Sequence, residues 1–286
     1  MIHFTGSCEG LDTSKFGGIF PDECLLVFDN LGYNNPLEHK VYLFLQEPDI
    51  ICPSHTEEVI KSAWKYEYIY TFNAKILAMF PKKSIKWPGN YATVKPSNEI
   101  KNFLISGWAS TKIWNNASGH LLRLEIYNKQ LQLPSNCIFF RSSNRNADGG
   151  PPLEEITLGQ NPLLGSNFLG GGKQCLFEGF QFSIILENSQ QENYFTEKII
   201  DCLITKTIPL YWGCPNISEF FDTTGWLFFE NFETLLQQVS TIDETYYSRY
   251  MNTINKNYNL AMKRSNFYHN IIRVHTLHHN DLQMGH

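Results

Sequence analysis

The chain alternates short apolar runs with amphipathic stretches, and it does so twice; that alternation limits its architecture more than any other feature. "CLLVF" (24–28) and "KVYLFLQ" (40–46) are apolar runs of buried-strand length. Ser54 and Glu57 have capping-box spacing ahead of a helix, "TEEVIKSAWKY" (56–66). "YEYIYTF" (66–72) then reads as a strand and "AKILAMF" (74–80) as a short helix. Three prolines within 81–100 mark a boundary.

The second part repeats the pattern. Strands are expected at 101–107, 137–140, 182–188, 207–213 and 226–229. Helices are expected at 118–133, with Leu121, Leu122, Leu124 and Ile126 on or near one face, and at 196–205, 231–239 and 242–262. The polar, Gly- and Pro-rich stretch 142–175 reads as loop, and 264–280 as a closing helix. Strand–helix alternation in both parts predicts an α/β protein of two Rossmann-like domains. Residues 1–97 would form the first, 98–262 the second, and 263–286 a closing C-terminal helix.

Composition excludes several classes. The net charge is −5 with no basic run, which argues against a nucleic-acid partner. No segment approaches the length of a membrane span, and the N-terminus does not resemble a signal peptide. Seven cysteines, an odd count without a Cys-x-x-Cys pair, read as reduced core residues of a soluble cytoplasmic protein. In such a protein the sequons at Asn116 and Asn216 carry no meaning.

The chemistry concentrates at one helix mouth. In an open α/β sheet, ligands sit beyond the carboxyl ends of the strands. The strand at 182–188 ends on Glu187-Asn188, and the next helix opens at Thr196-Glu197-Lys198. A phosphate there would meet free backbone N–H groups and the Lys198 ammonium. Glu197 suits the two hydroxyls of a ribose, and Tyr194 can donate to a diphosphate. Ordinary capping by Thr196, with Lys198 solvated, is the alternative.

Other motifs fail. "LGGGKQ" (169–174) departs from a P-loop at its first glycine, where Asn167 stands, and at Gln174. Gly-x-Gly-x-x-Gly, Gly-x-Ser-x-Gly, His-Glu-x-x-His and Asp-x-Asp are all missing. Glu47-Pro48-Asp49 is a loose variant of the last. His275, His278 and His279 have metal-like spacing, but a frayed, solvated terminal helix is expected instead.

Residues 187–222, "ENSQQENYFTEKIIDCLITKTIPLYWGCPNISEFFD", resemble the donor-binding motif of the α-1,3-fucosyltransferase family. Glu187, Asn188, Ser189, Tyr194, Thr196, Glu197, Lys198, Pro209, Tyr211, Trp212, Gly213 and Pro215 fit its fixed positions. Soluble, exostosin-like glycosyltransferases of large algal viruses and bacteria carry a similar segment. The resemblance implies a GT-B fold: two Rossmann-like domains facing a cleft, the C-terminal one holding a nucleotide sugar and the N-terminal one a glycan acceptor. It implies inversion at the anomeric carbon, with no cofactor and no essential metal. The donor would be GDP-fucose, or UDP-xylose as in some of the viral relatives. By motif position, Asn188, Tyr194, Thr196, Glu197 and Lys198 would contact the donor, Glu197 at the ribose, and Tyr194 and Lys198 at the diphosphate. An arginine is expected on the first helix of the C-terminal domain, where Arg123 stands, with Lys112 in the preceding loop as a weaker second.

An inverting transfer also needs a base for the acceptor hydroxyl. Glu47 and Asp49 follow a strand of the N-terminal domain, and Pro48 between them bars a regular strand there. Glu47 is the first choice and Asp49 the second, with Asp29 and Glu58 in reserve. A surface turn whose acids face water is the alternative.

Overall fold

The computed structural model describes residues 2–6, 11–35, 37–89, 91–109, 114, 116–141 and 172–284. Among these residues, two five-stranded sheets form, and every strand pairing is parallel. The first holds β1 (His3–Gly6), β2 (Cys24–Phe28), β3 (Lys40–Phe44), β4 (Tyr66–Thr71) and β5 (Ser84–Lys86), in sequential order. Helices α1 (His55–Ser62) and α2 (Ala74–Met79) make the last two crossovers.

Sequential parallel order has a consequence for packing. Right-handed crossovers that always step the same way put their helices on one face of the sheet. That face holds Leu25, Val27, Val41 and Leu43, packed with Val59 of α1 and Ile76 of α2. The alternate residues Leu26, Phe28, Tyr42 and Phe44 point the other way, as strand periodicity requires. Phe16 and Phe20 cover part of that second face. Ile271 and Val274 of the helix at Phe267–Met284 cover more of it.

The second sheet holds β6 (Asn102–Ala109), β7 (Cys137–Arg141), β8 (Phe180–Leu186), β9 (Ile208–Trp212) and β10 (Leu227–Phe228), in the order β10-β9-β8-β6-β7. Helix α3 (Ser118–Asn128) links β6 to β7, and α4 (Glu197–Ile204) links β8 to β9. The chain steps outward from β6 to β7 and then returns to β8 on the opposite side. The order therefore reverses between β6 and β8, and a crevice opens beyond their carboxyl ends. Helices α5 (Phe232–Ser240), α6 (Tyr246–Arg249) and α7 (Met251–Ser265) complete this half. The last helix, α8 (Phe267–Met284), returns to the first sheet, where Ile271 and Val274 join its core.

Several expectations are corrected. β1 and β5 were not apparent, being an exposed edge strand and a three-residue strand inside the proline-bearing stretch. Ser54 precedes α1 with a φ of 72° and makes no capping bond. Asp49 caps instead, accepting from Thr56 N at 3.2 Å and from Thr56 Oγ1. On α3 the buried face is His120, Leu122, Arg123, Ile126 and Tyr127, while Leu121 is exposed. The terminal helix is not frayed: His275 is buried and bonds through Nδ1 to the Tyr70 hydroxyl at 2.5 Å. The stretch between the sheets is pinned, since Thr93 donates its N–H (2.7 Å) and hydroxyl to Asp201 on α4.

Among the described residues no helix is long and apolar enough to cross a membrane. The six described cysteines are free thiols.

Candidate donor site

The reversal point places the end of β8 against the start of α4. Glu187, fully buried, follows β8 and braces the turn. It accepts from Thr196 N at 3.0 Å and from Thr196 Oγ1 at 2.7 Å. Burial pushes its carboxyl up; the nearby Lys198 ammonium and the Thr196 donors pull it back. Two glycines make room for it. A Cβ on Gly213 would lie 2.6 Å from Glu187 Cγ, and one on Gly119 would lie 1.8 Å from the Glu187 carbonyl oxygen. The approach at Gly119 seats α3 under the end of β8.

That seating places Arg123. Its side chain is buried, donates to Leu186 O at 2.8 Å and lies 5.1 Å over the Trp108 ring. Burial draws its pKa down, and the charges of Glu187 and Glu197 oppose that. Arg123, Lys173, Lys198, Trp108 and Asp201 line one cleft. Thr196 is the extended N-cap of α4, as expected. The Lys198 ammonium donates to Thr196 Oγ1 at 2.9 Å and lies 3.5 Å from Glu197 Oε1. Lys173 reaches the same oxygen at 2.8 Å. Burial alone would raise the Glu197 carboxyl; Lys198 and Lys173 outweigh it and hold it at about 2.

Tyr194 is fully buried where the two halves meet, its ring 4.9 Å from that of Phe72. Its hydroxyl stands beside the Asn188 side chain, and burial raises its pKa well above the ordinary value. Asn188 is oriented by a relay. His120 Nδ1 accepts the Trp114 N–H at 3.0 Å, so its Nε2 carries the proton and donates to Asn188 Oδ1 at 3.1 Å. The Asn188 side chain also lies beside the Tyr194 hydroxyl and the Glu47 carboxyl.

Across that cleft stands Glu47, half-buried, with Oε2 making no hydrogen bond. Burial raises its pKa; Lys198 lowers it, Glu197 and Glu187 raise it, and the Asn188 amide lowers it. The first-choice base thus faces the donor motif. Asp49 does not: its carboxylate is committed to Thr56 at the start of α1. Lys112 lies outside the described residues. Lys173 was missed because its glycine-rich lead-in reads as a failed P-loop. Only its place beside Glu197 marks it. Among the described residues no group of three or more His, Cys, Asp or Glu side chains converges as a metal site.

Residues 171–277 match glycosyltransferase family 10 (fucosyltransferase), C-terminal part. The alpha-(1,3)-fucosyltransferase of Helicobacter pylori is 29% identical over 143 residues, covering 46% of this chain. The chain spans only 30% of that relative's length. A crystal structure of an alpha1,3-fucosyltransferase with GDP-fucose shares the fold at a TM-score of 0.50 and 18% identity, over 90% of this chain and 77% of the other. Another, with GDP, gives a TM-score of 0.48 at 15% identity, over 94% and 92%. The family resemblance read from residues 187–222 is thereby confirmed, since it falls inside the stretch, residues 171–277, that matches the C-terminal part of glycosyltransferase family 10 (fucosyltransferase).

Proposed function

We propose that the protein is an inverting glycosyltransferase that moves fucose from GDP-fucose to a hydroxyl of a glycan acceptor. The observation that carries this reading is the convergence of Arg123, Lys173 and Lys198 with Glu197 at the mouth of α4, opposite Glu47. A similar structure holds GDP-fucose, which supports the choice of donor. In this reading Glu197 takes the ribose hydroxyls. Tyr194, Lys198 and Arg123 take the diphosphate, and the Asn188 amide lies at the sugar side.

The reaction then balances simply. Glu47 removes the acceptor hydroxyl's proton as that oxygen bonds to the anomeric carbon. The bond from that carbon to the diphosphate oxygen breaks on the opposite face, and GDP leaves with the electron pair. Three cations and the positive end of the α4 dipole stabilise the departing charge, so a metal ion is not required for that step. Losing one such contact costs on the order of 10²–10³ in rate.

Calorimetric titration with GDP and with UDP, followed by an assay of labelled fucose transfer, tests the reading. GDP should bind and transfer should follow. Binding of UDP alone would move the donor to a UDP sugar such as UDP-xylose. Binding of neither diphosphate would sink the reading.

A further inference from the structure

A second carboxyl group stands at the base, and the reaction above does not use it. Asp29 follows β2 directly and holds a left-handed φ of 47°. Aspartate is among the few side chains that tolerate this region. Its N–H donates to Phe44 O at 3.0 Å, at the end of β3. Its Oδ1 accepts the N–H of Gln46 at 2.9 Å and that of Glu47 at 3.4 Å. Its Oδ2 is buried and makes no hydrogen bond.

A residue serving only this turn would do better as asparagine. Asparagine offers the same oxygen to both N–H groups, accepts the left-handed backbone and buries no ionisable group. The carboxyl at this position has two further neighbours, the Gln46 side chain and the adjoining Glu47.

We propose that Asp29 is the positioning residue of the base: it fixes the main chain at Gln46–Glu47 and couples its own charge to that of the Glu47 carboxylate. The proposal rests on the reading of Glu47 as base. Burial pushes Asp29 up to about 7, the two backbone N–H groups and the Gln46 side chain pull it down, and the Glu47 charge pushes it up. The Cys52 thiol, which sees both acids, is pushed up to about 11 by burial and by their charges, and so stays neutral near pH 7. The coupling is reciprocal, and the two protons belong to the pair. An ionised Asp29 makes Glu47 hold a proton more strongly, which makes it a stronger base. Turnover should rise as the pH passes upward through about 7.

Carbon-13 carboxyl NMR titration of the full chain tests the coupling without requiring an active assay. In Glu47→Gln the Asp29 midpoint should fall, and in Asp29→Asn the Glu47 midpoint should fall likewise. Release of GDP from GDP-fucose, with N-acetyllactosamine or water as acceptor probe, gives the catalytic readout. Asp29→Asn should lower kcat about tenfold, leave the donor KM unchanged and erase the step near pH 7. Its melting temperature reports whether the fold survives, and the Glu47→Gln titration stands even if it does not. Midpoints that do not move overturn the proposal. So does Asp29→Asn with wild-type turnover and pH profile while Glu47→Gln is inactive, and in that case the base reading survives. Full turnover in Glu47→Gln overturns both.

Discussion

Lys173 Nζ lies 2.8 Å from Glu197 Oε1, and Lys198 Nζ lies 3.5 Å from the same oxygen. The carboxylate at the donor cleft is thus gripped by two ammonium groups, only one of which belongs to its own helix. It stays ionised at every pH where the protein would work, since its pKa is held at about 2. Lys173→Met should weaken GDP binding about tenfold in calorimetry while the melting temperature changes little. An unchanged dissociation constant would remove Lys173 from the site.

Arg123 has a double role. The sequence alone suggests that Arg123→Ala spoils donor binding and leaves the fold intact. The structure predicts otherwise, because the guanidinium bonds the buried Leu186 carbonyl. Removing it strands that oxygen and should cost about 1–3 kcal/mol in denaturant unfolding, in addition to the loss of GDP affinity. Lys198→Ala should also lose affinity, and its stability cost comes from a different source, the fully buried Glu187 carboxylate left without the ammonium 3.8 Å away.

Gly119→Ala tests the seating of α3. The new methyl would fall 1.8 Å from a backbone oxygen, which no rotamer change can relieve. A destabilisation on the order of 3 kcal/mol is expected, with GDP affinity falling because Arg123 moves with the helix. Wild-type stability and affinity together would show that the approach of α3 to β8 is looser than described.

His275 gives a stability signature in acid. Burial first, and then the neighbouring His279 and His278, lower its pKa to about 4 from an ordinary 6.5. The folded protein holds the neutral ring, so the unfolded chain binds the extra proton between those values. This contribution is complete above pH 6.5 and is lost as the pH falls through 4. The melting temperature should drop over that window, and His275→Gln should flatten the drop. A parallel curve for the variant would assign the acid loss elsewhere.

Chelation should not abolish turnover. In the proposed reading Arg123, Lys173 and Lys198, which line one cleft, would supply positive charge to the leaving diphosphate. Activity measured in EDTA should stay near its untreated level. Abolition by EDTA with rescue by manganese would mean that these cations do not suffice.

The donor half was legible because its chemistry is local. Thr196, Glu197 and Lys198 are consecutive, and a helix mouth after a strand places them by itself. The acceptor half was legible only in part, because carboxylates after a strand look alike in sequence. Asp49 and Glu47 are two residues apart, yet one caps α1 and the other faces the cleft. The choice depends on Thr56 being free to bond Asp49, which spacing does not announce. Ser54 had the better capping pattern, but its left-handed backbone turns the hydroxyl away from the helix. Asp29 was a reserve candidate for the base itself; only the structure reveals its bonds to the Gln46 and Glu47 N–H groups, on which the positioning proposal rests.

Because α8 supplies Ile271 and Val274 to the first sheet's core, that core is assembled from both ends of the described chain. A protease nick in the stretch joining the sheets would therefore leave two fragments still clasped together. Expression of residues 1–97 alone should yield an insoluble product, with Phe28, Phe44 and Tyr70 stripped of their cover. Supplying the remainder in trans should restore it, so the molecule is a natural candidate for fragment complementation rather than for dissection at its midpoint.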